Sequence, residues 1–270
     1  MNTMMEYPPL FSLRGKVAVV TGGARHLGYA MATALAEAGA SVIVTSRSLK
    51  AARLAATSLA SRHATDTFAV ELDQTDFRSV AKAFAKIHGW QGRIDILVNN
   101  AGGSKLGPRD LLSRAPRDVE SLIQTNLTGV LHCSQEAARI MVRQRQGRII
   151  NIASIAGIVG RDRRLYKRHQ MNGQAVDYAA AKAGVIGLTR DLAAVLAPDG
   201  ITVNAISPGG FARDDLPRKF IRDYSALTPL GRMGQEDTDL AGAVVFLASA
   251  ASAYITGHNL VVDGGFSLWR

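Results

Sequence analysis

Short runs of Val, Ile and Leu alternate along this chain with alanine-rich stretches whose apolar residues recur at helical spacing. The first run, KVAVV at 16–20, leads through Thr21-Gly22-Gly23 into a helical pattern over 25–38 that stops at Gly39. SVIVTS at 41–46 predicts a second strand, followed by a helix over 49–61. Residues 67–72 predict a third, with a helix over 77–88, and IDILVN at 94–99 a fourth. A long helical region covers about 118–145, and 148–153 predicts a fifth strand. A helix over 177–196 comes next, then strands at 201–206 and 259–262, with a helix near 237–248 between them.

Runs of Val and Ile without polar alternation suit strands covered on both faces, as in a parallel sheet. Strands that alternate with helices imply right-handed βαβ units. The order predicts an α/β fold built on one doubly wound parallel sheet, with ligands beyond the carboxyl ends of its strands. No linker, repeat or low-complexity stretch interrupts the 270 residues, so 11–270 are expected to form a single domain behind a short N-terminal tail at 1–10.

Composition narrows the class. With 47% hydrophobic and 20% charged residues the chain is globular, neither disordered nor fibrous. The single cysteine, Cys133, excludes an intrachain disulfide and a multi-cysteine metal site, and points to a reducing, cytoplasmic setting. The first basic residue is Arg14, unlike the start of a signal peptide, and no apolar run reaches the ~20 residues of a membrane helix.

The net charge is +10, and the segment RDRRLYKRH at 161–169 supplies +4 of it through Arg161, Arg163, Arg164, Lys167 and Arg168 against Asp162. A basic surplus suits nucleic acid, an acidic membrane surface or anionic metabolites. One tyrosine, Tyr166, does not make the aromatic-interleaved basic patch of a nucleic-acid binder, and no nucleic-acid module is recognisable. The expected partner is a small molecule, with neither nucleic acid nor membrane involved. A solvated basic loop remains an equal reading of the segment.

The first strand-to-helix junction reads Thr21-Gly22-Gly23-Ala24-Arg25-His26-Leu27-Gly28. Small residues there let the backbone approach a pyrophosphate, while the helix start offers unpaired N–H groups. The segment resembles the TGxxxGxG signature of the short-chain dehydrogenase/reductase family, with His26 at the middle glycine position. The resemblance covers about residues 11–265 and implies a Rossmann-type sheet of about seven strands with helices on both faces. It also implies cofactor contacts from Thr21, Gly22, Arg25, His26, Leu27 and Gly28. The end of the second strand carries Ser46-Arg47 where an acidic residue would select NAD. Arg47 and Arg25 suit a 2′-phosphate, which favours NADP(H) over NAD(H). Asp73 corresponds to the family's acidic residue near the adenine, Asn99-Asn100-Ala101-Gly102 to its NNAG motif, and Pro208-Gly209 to its turn beside the nicotinamide.

Tyr178 and Lys182 stand four residues apart, on one helix face. An ammonium about 4 Å from a phenol, at an effective dielectric near 20, favours the phenolate by roughly 4 kcal/mol. The family resemblance adds Ser154 after the fifth strand and Asn126 on the preceding helix. It implies that Tyr178 moves the substrate proton and Ser154 hydrogen-bonds the reacting oxygen. Lys182 then lowers the Tyr178 pKa and holds the nicotinamide ribose, and Asn126 positions a relay water. No metal is required.

Ser154 and Tyr178 are separated by 24 positions, about twice the spacing the resemblance implies. The excess is the basic stretch, an insertion at about 160–174 that must leave and re-enter at the active-site rim. Its charge suits a sugar acid, a nucleotide sugar or a phosphopantetheine thioester; a flap or a subunit contact is the competing reading. A lid is expected at 211–224, FARDDLPRKFIRDY. The segments ISPGGFARDD, TPLGRMG and TGHNLVVDGG resemble sugar-oxidising members, including gluconate 5-dehydrogenase-like proteins. The leading expectation is an NADP(H)-dependent oxidoreductase interconverting a secondary alcohol and a ketone. A 3-oxoacyl-thioester reductase is the alternative, and a non-catalytic NADP-binding redox sensor is the alternative of another class. The resemblance also implies a homo-oligomer, dimer or tetramer, through the long helices flanking the fifth strand.

Overall fold

In the computed structural model, which describes residues 8–103 and 110–269, seven apolar runs pair side by side in parallel. The first half runs β1 (Val17–Val20), α1 (His26–Glu37), β2 (Ser41–Ser46), α2 (Leu49–His63), β3 (Thr67–Glu71), α3 (Phe77–Gln91) and β4 (Ile96–Asn99). Next come α4 (Pro116–Ile123), α5 (Gly129–Gln144), β5 (Gly147–Ile152), α6 (Arg163–Arg168), α7 (Val176–Leu196) and β6 (Ile201–Pro208). The chain continues through β7 (Phe211–Ala212), α8 (Arg218–Ala226), β8 (Gly234–Gln235), α9 (Ala241–Ala248) and β9 (Asn259–Val262). Of the expected tail, residues 1–7 lie outside the described residues, and Pro9–Phe11 form a single 3-10 turn.

The sheet order is β3-β2-β1-β4-β5-β6-β9, with every neighbour parallel. This is the doubly wound Rossmann-type architecture. Alternation within β1 shows how the two faces fill. Ala18 and Val20 join the core under α1, α2 and α9, whereas Val17 and Val19 join the one under α3, α5 and α7. A strand buried on both faces disfavours polar residues, hence the unbroken VAVV and VIV runs. Burial of each such large side chain contributes about 1.5–3 kcal/mol.

Two expectations are corrected. The helix expected over 118–145 is two helices, α4 and α5, joined by a π-helical turn at Gln124–Thr128. Its cause is local: Thr125 Oγ1 donates to the Ser121 carbonyl at 2.7 Å and Asn126 Nδ2 to the Leu122 carbonyl at 3.0 Å, competing with the backbone ladder. The basic stretch contains a helix, α6, capped by Asp162 accepting from Arg164 N. Its Leu165 is buried with Phe220 and Tyr224 of α8. Among the described residues, no helix is long and apolar enough to cross a membrane.

Candidate active site

Strand order reverses between β1 and β4, and such a reversal opens a crevice at the strands' carboxyl ends. Thr21, fully buried, stitches its two walls together. Its Oγ1 accepts from the backbone N–H groups of Asn100 and Ala101, both at 3.0 Å. Asn100 Nδ2 donates back to the Thr21 carbonyl at 2.9 Å and the Gly22 carbonyl at 3.3 Å. Gly22 has φ +63°, and a Cβ there would lie 2.9 Å from Ala101 Cα; a Cβ on Gly28 would lie 2.4 Å from the Gly22 carbonyl oxygen. Neither place admits a side chain without backbone movement. No side chain caps α1, so its first N–H groups stay open to an anion. A close-approach turn with an uncapped helix start fits a dinucleotide pyrophosphate.

His26 keeps the backbone path that a glycine would take, at φ +51°, and its ring is held against Glu236, with Nδ1 3.3 Å from Oε2. Leu27 packs on the core beneath. Arg25 and Arg47 are exposed, and neither forms an ion pair with a described residue. Ser46 ends β2 with its Oγ accepting from Ser48 N at 3.2 Å. Asp73 Oδ1 accepts from Thr75 N at 3.0 Å and from Thr75 Oγ1 at 2.7 Å, forming a turn before α3.

The catalytic candidates converge on the other wall. Ser154 follows β5 and opens a 3-10 turn, Ile155–Gly157, its Oγ accepting from Ala156 N at 3.1 Å. That turn lies directly on α7: a Cβ on Gly157 would fall 2.5 Å from Ala183 N. Close approach at Gly157 brings Ser154 into hydrogen-bond contact with Tyr178. Lys182 is buried, donates to the Ile152 carbonyl at 2.6 Å, and stands 5.8 Å from the centroid of the Tyr178 ring.

The electrostatics differ from the expectation in one respect. Burial pushes the Tyr178 phenol above its ordinary value; the Ser154 hydrogen bond and the positive charge of Arg161 act downward without overcoming it. Burial also lowers the Lys182 ammonium from 10.5 to about 8. No hydrogen bond joins Lys182 to Tyr178. The cation that bears on the phenol belongs to the insertion.

Asn126 is buried within the π-helical turn, which aims its amide at the loop after β4. Nδ2 donates to the Leu122 and Gly103 carbonyls at 3.0 and 2.9 Å, and Oδ1 accepts from Gly103 N at 3.0 Å. It clamps that loop, leaving one acceptor lone pair on Oδ1. Asn99 is likewise interior, donating to Ser134 Oγ and Asn151 Oδ1, both at 2.9 Å. Asn100, its neighbour, is the one that reaches the phosphate turn, where Ala101 and Gly102 continue the wall. Pro208 closes β6, and Gly209 N donates to the Val262 carbonyl at 3.0 Å. Beyond it, the Tyr224 hydroxyl of α8 accepts from Gly210 N at 2.8 Å, and its ring stacks on Phe266 with centroids 4.4 Å apart.

Three positions escaped the sequence reading. Gln74 is buried and donates to the carbonyls of Ala101 and Thr125 at 2.8 and 2.5 Å, joining the adenine side to the π-helical turn. Arg114 makes a buried ion pair with Asp177, the residue before Tyr178, at 2.6 Å. Arg161 donates to the Gln174 amide oxygen and, at 3.3 Å, to the Ala175 carbonyl, just before α7 begins. Only the adjacency of Asp177 to Tyr178 offered a signal.

Comparisons agree with this geometry. A family profile described as enoyl-(acyl carrier protein) reductase matches residues 22–267. The 3-oxoacyl-(acyl-carrier-protein) reductase of Aquifex aeolicus is 38% identical over 256 residues, covering 94% of this chain and 98% of that one. A gluconate 5-dehydrogenase from Burkholderia cenocepacia, solved with NADP and tartrate, superposes with TM-score 0.86 at 34% identity, covering 96% of this chain and 98% of the other. The RhlG–NADP complex of Pseudomonas aeruginosa gives TM-score 0.85 at 33% identity, covering 96% and 99%. With its Rossmann-type sheet, its phosphate turn and these relatives, the chain belongs to the short-chain dehydrogenase/reductase family and is an oxidoreductase acting on CH–OH or keto groups.

Proposed function

We propose that the protein is an NADP(H)-dependent oxidoreductase that interconverts a secondary alcohol and a ketone on an anionic, sugar-acid-type substrate, with Tyr178 as the general acid and base. The observation that carries the cofactor choice is the pair of exposed guanidiniums, Arg25 in the turn after β1 and Arg47 just past β2, where Ser46 stands in place of an acidic residue. Both suit the planar, bidentate recognition of a phosphate. Thr21, Gly22, His26, Leu27 and Gly28 would hold the pyrophosphate. Ser46 and Asp73 would flank the adenosine, and Ala101, Gly102, Pro208 and Gly209 the nicotinamide half, with Asn99 behind that wall in the interior.

The bound dinucleotide supplies or accepts the hydride. The remaining work belongs to the chain. Tyr178, held protonated by burial, donates to the carbonyl oxygen in reduction, and Ser154 hydrogen-bonds that oxygen as charge develops. In alcohol oxidation the phenolate is required, so Ser154 and Arg161, which both favour it, assist. Lys182 uses one N–H on the Ile152 carbonyl and has two left for the ribose hydroxyls. Asn126 fixes the loop under the site, with Oδ1 left to accept from a relay water.

The insertion and α8 support the substrate assignment. They pack into one apolar cluster with Ile155, the residue after Ser154, and leave Arg164, Lys167 and Arg168 exposed. The relatives named 3-oxoacyl-(acyl-carrier-protein) reductases favour a second reading, a thioester ketone as substrate. A panel of carbonyl compounds reduced with NADPH, containing keto-acids and 3-oxoacyl thioesters, separates the two. The first reading expects turnover on keto-acids that is abolished in Tyr178→Phe; turnover confined to thioesters supports the second. We also propose a dimer or tetramer through α5 and α7, where Leu131 and Val195 stay exposed; sedimentation velocity measures it.

A further inference from the structure

The insertion's positive charge is mostly committed within the molecule. Arg164 pairs with Asp162 through two nitrogens, at 2.9 and 2.8 Å, and Arg168 lies 3.7 Å from Asp223. Arg163 runs along the returning strand, donating to the carbonyls of Gln174 at 2.7 Å and Asn172 at 3.4 Å, and so closes the loop on itself. Lys167 is exposed. Arg161 is half-buried and, like Arg163, has no carboxylate within ion-pair distance among the described residues. Its partners among the described residues are two neutral oxygens, the Gln174 amide and the Ala175 carbonyl. Those acceptors immediately precede α7, so the guanidinium is anchored to the backbone that carries Tyr178.

Two further observations give this cation a direction. Its anchor, the Ala175 carbonyl, lies three positions before Tyr178, and its charge bears on the Tyr178 and Tyr166 phenols. It also lines an open cavity of about 640 Å³, formed by residues 158–164 between the Ser154 turn and α6. A guanidinium has five N–H donors in a rigid fork, and two are engaged here, so three remain. A half-buried cation without a counter-charge, beside a proton donor and facing a cavity, is arranged to receive a planar oxyanion.

We propose that Arg161 is the specificity-determining residue of the substrate pocket, its guanidinium receiving the carboxylate of a hydroxy- or keto-acid whose reacting carbon lies at Tyr178 and Ser154. This rests on the oxidoreductase reading given above and narrows its substrate class. A 3-oxoacyl thioester carries no carboxylate near its ketone, and its nearest phosphate lies a full pantetheine arm away. Arg161 therefore favours the acid over the thioester.

The test has a binding arm and a turnover arm. Calorimetric titration of the NADP⁺-loaded protein with D-gluconate and with tartrate is expected to show binding that weakens roughly 10- to 100-fold in Arg161→Gln, the loss of a charge-assisted contact. Lys167→Gln removes the same charge from the same segment and is expected to change it less than about twofold. In turnover, keto-acids are expected to lose kcat/KM in Arg161→Gln mainly through KM, and by at least about tenfold more than NADPH-dependent reduction of the neutral diketone diacetyl loses. If Arg161→Gln does not fold, Arg161→Lys, which keeps the charge and loses the fork, carries the same comparison. Acids that fail to bind, bind equally well to the variant, or lose turnover in step with diacetyl overturn the assignment. If diacetyl is still reduced with NADPH in that event, the oxidoreductase reading stands and only Arg161 falls; no NADPH turnover on any carbonyl removes both.

Discussion

Around the turn after β1 the binding surface is made of backbone. Two glycines admit no side chain, the first N–H groups of α1 are uncapped, and Thr21 and Asn100 are fastened to the chain behind it. The opposite wall is made of side chains. Ser154, Tyr178 and Lys182 are set by the close contact of the Gly157 turn with α7, and the insertion adds Arg161 beside them. The charges follow the same division. Arg25 and Arg47 are exposed and unpaired among the described residues, whereas three insertion arginines are held by carboxylates or carbonyls of the insertion and α8. A basic count alone thus says little about a ligand; the informative cations are those without a counter-charge that face a cleft.

The comparison breaks most visibly at Tyr178. Tyr178→Phe is expected to lower kcat roughly 1,000-fold, as loss of a general acid–base group does, with NADPH affinity unchanged in a fluorescence titration. If both fell together, the two walls would not be separable. Arg114→Ala should destabilise the protein by about 3 kcal/mol, because Asp177 is left as an uncompensated buried charge at the start of α7. Urea unfolding measures that, and the loss should exceed that of any exposed arginine.

Lys182 gives a smaller effect with a definite sign. Its folded pKa of about 8 lies below the ordinary 10.5, so between these values the unfolded chain binds the extra proton and stability rises with pH. The whole cost, roughly 3 kcal/mol, is present below pH 8. Lys182→Met removes it and forfeits the Ile152 hydrogen bond, about 1–2 kcal/mol. The variant is expected to be about 1–2 kcal/mol more stable at pH 7, with the advantage gone by about pH 9–10 and reversed above it, and to turn over far more slowly. Denaturation curves at several pH values check the sign.

The smallest expected effect is at His26. Glycine there would relieve a left-handed non-glycine residue, of order 1 kcal/mol, and add a similar amount of unfolded-chain entropy. His26→Gly should therefore leave both stability and NADPH affinity nearly unchanged, within about threefold for the affinity. A large loss would mean that the His26–Glu236 contact takes part in binding.

How much of this the residues disclosed follows from the same division. The strands were legible because a strand covered on both faces is mostly apolar: β1 is VAVV, β2 carries VIV and β4 ILV, with the buried Asn99 and Asn151 near the carboxyl ends of β4 and β5. The phosphate turn was legible because only small residues fit at Gly22 and Gly28. The π-helical turn was not, since Thr125 and Asn126 read as ordinary helix residues until their side chains bond to Ser121 and Leu122. Helix α6 carries one buried apolar residue, Leu165, too few to show a period. Gln74 and Arg114 act on partners up to 63 positions away, which no local pattern records. The direction of the Tyr178 shift depended on burial and on Lys182 being held by Ile152, neither of which the four-residue spacing contains.

The account rests most on the cofactor wall, and its most direct test is a fluorescence titration of the protein and of Arg47→Ala with NADPH and NADH. NADPH is expected to bind more tightly than NADH to the natural protein. Arg47→Ala should weaken NADPH roughly 10- to 100-fold, the loss of a charge-assisted phosphate contact, and leave NADH unaffected. Equal affinity for the two nucleotides, or an equal loss of both in the variant, would contradict the assignment of this wall to a 2′-phosphate.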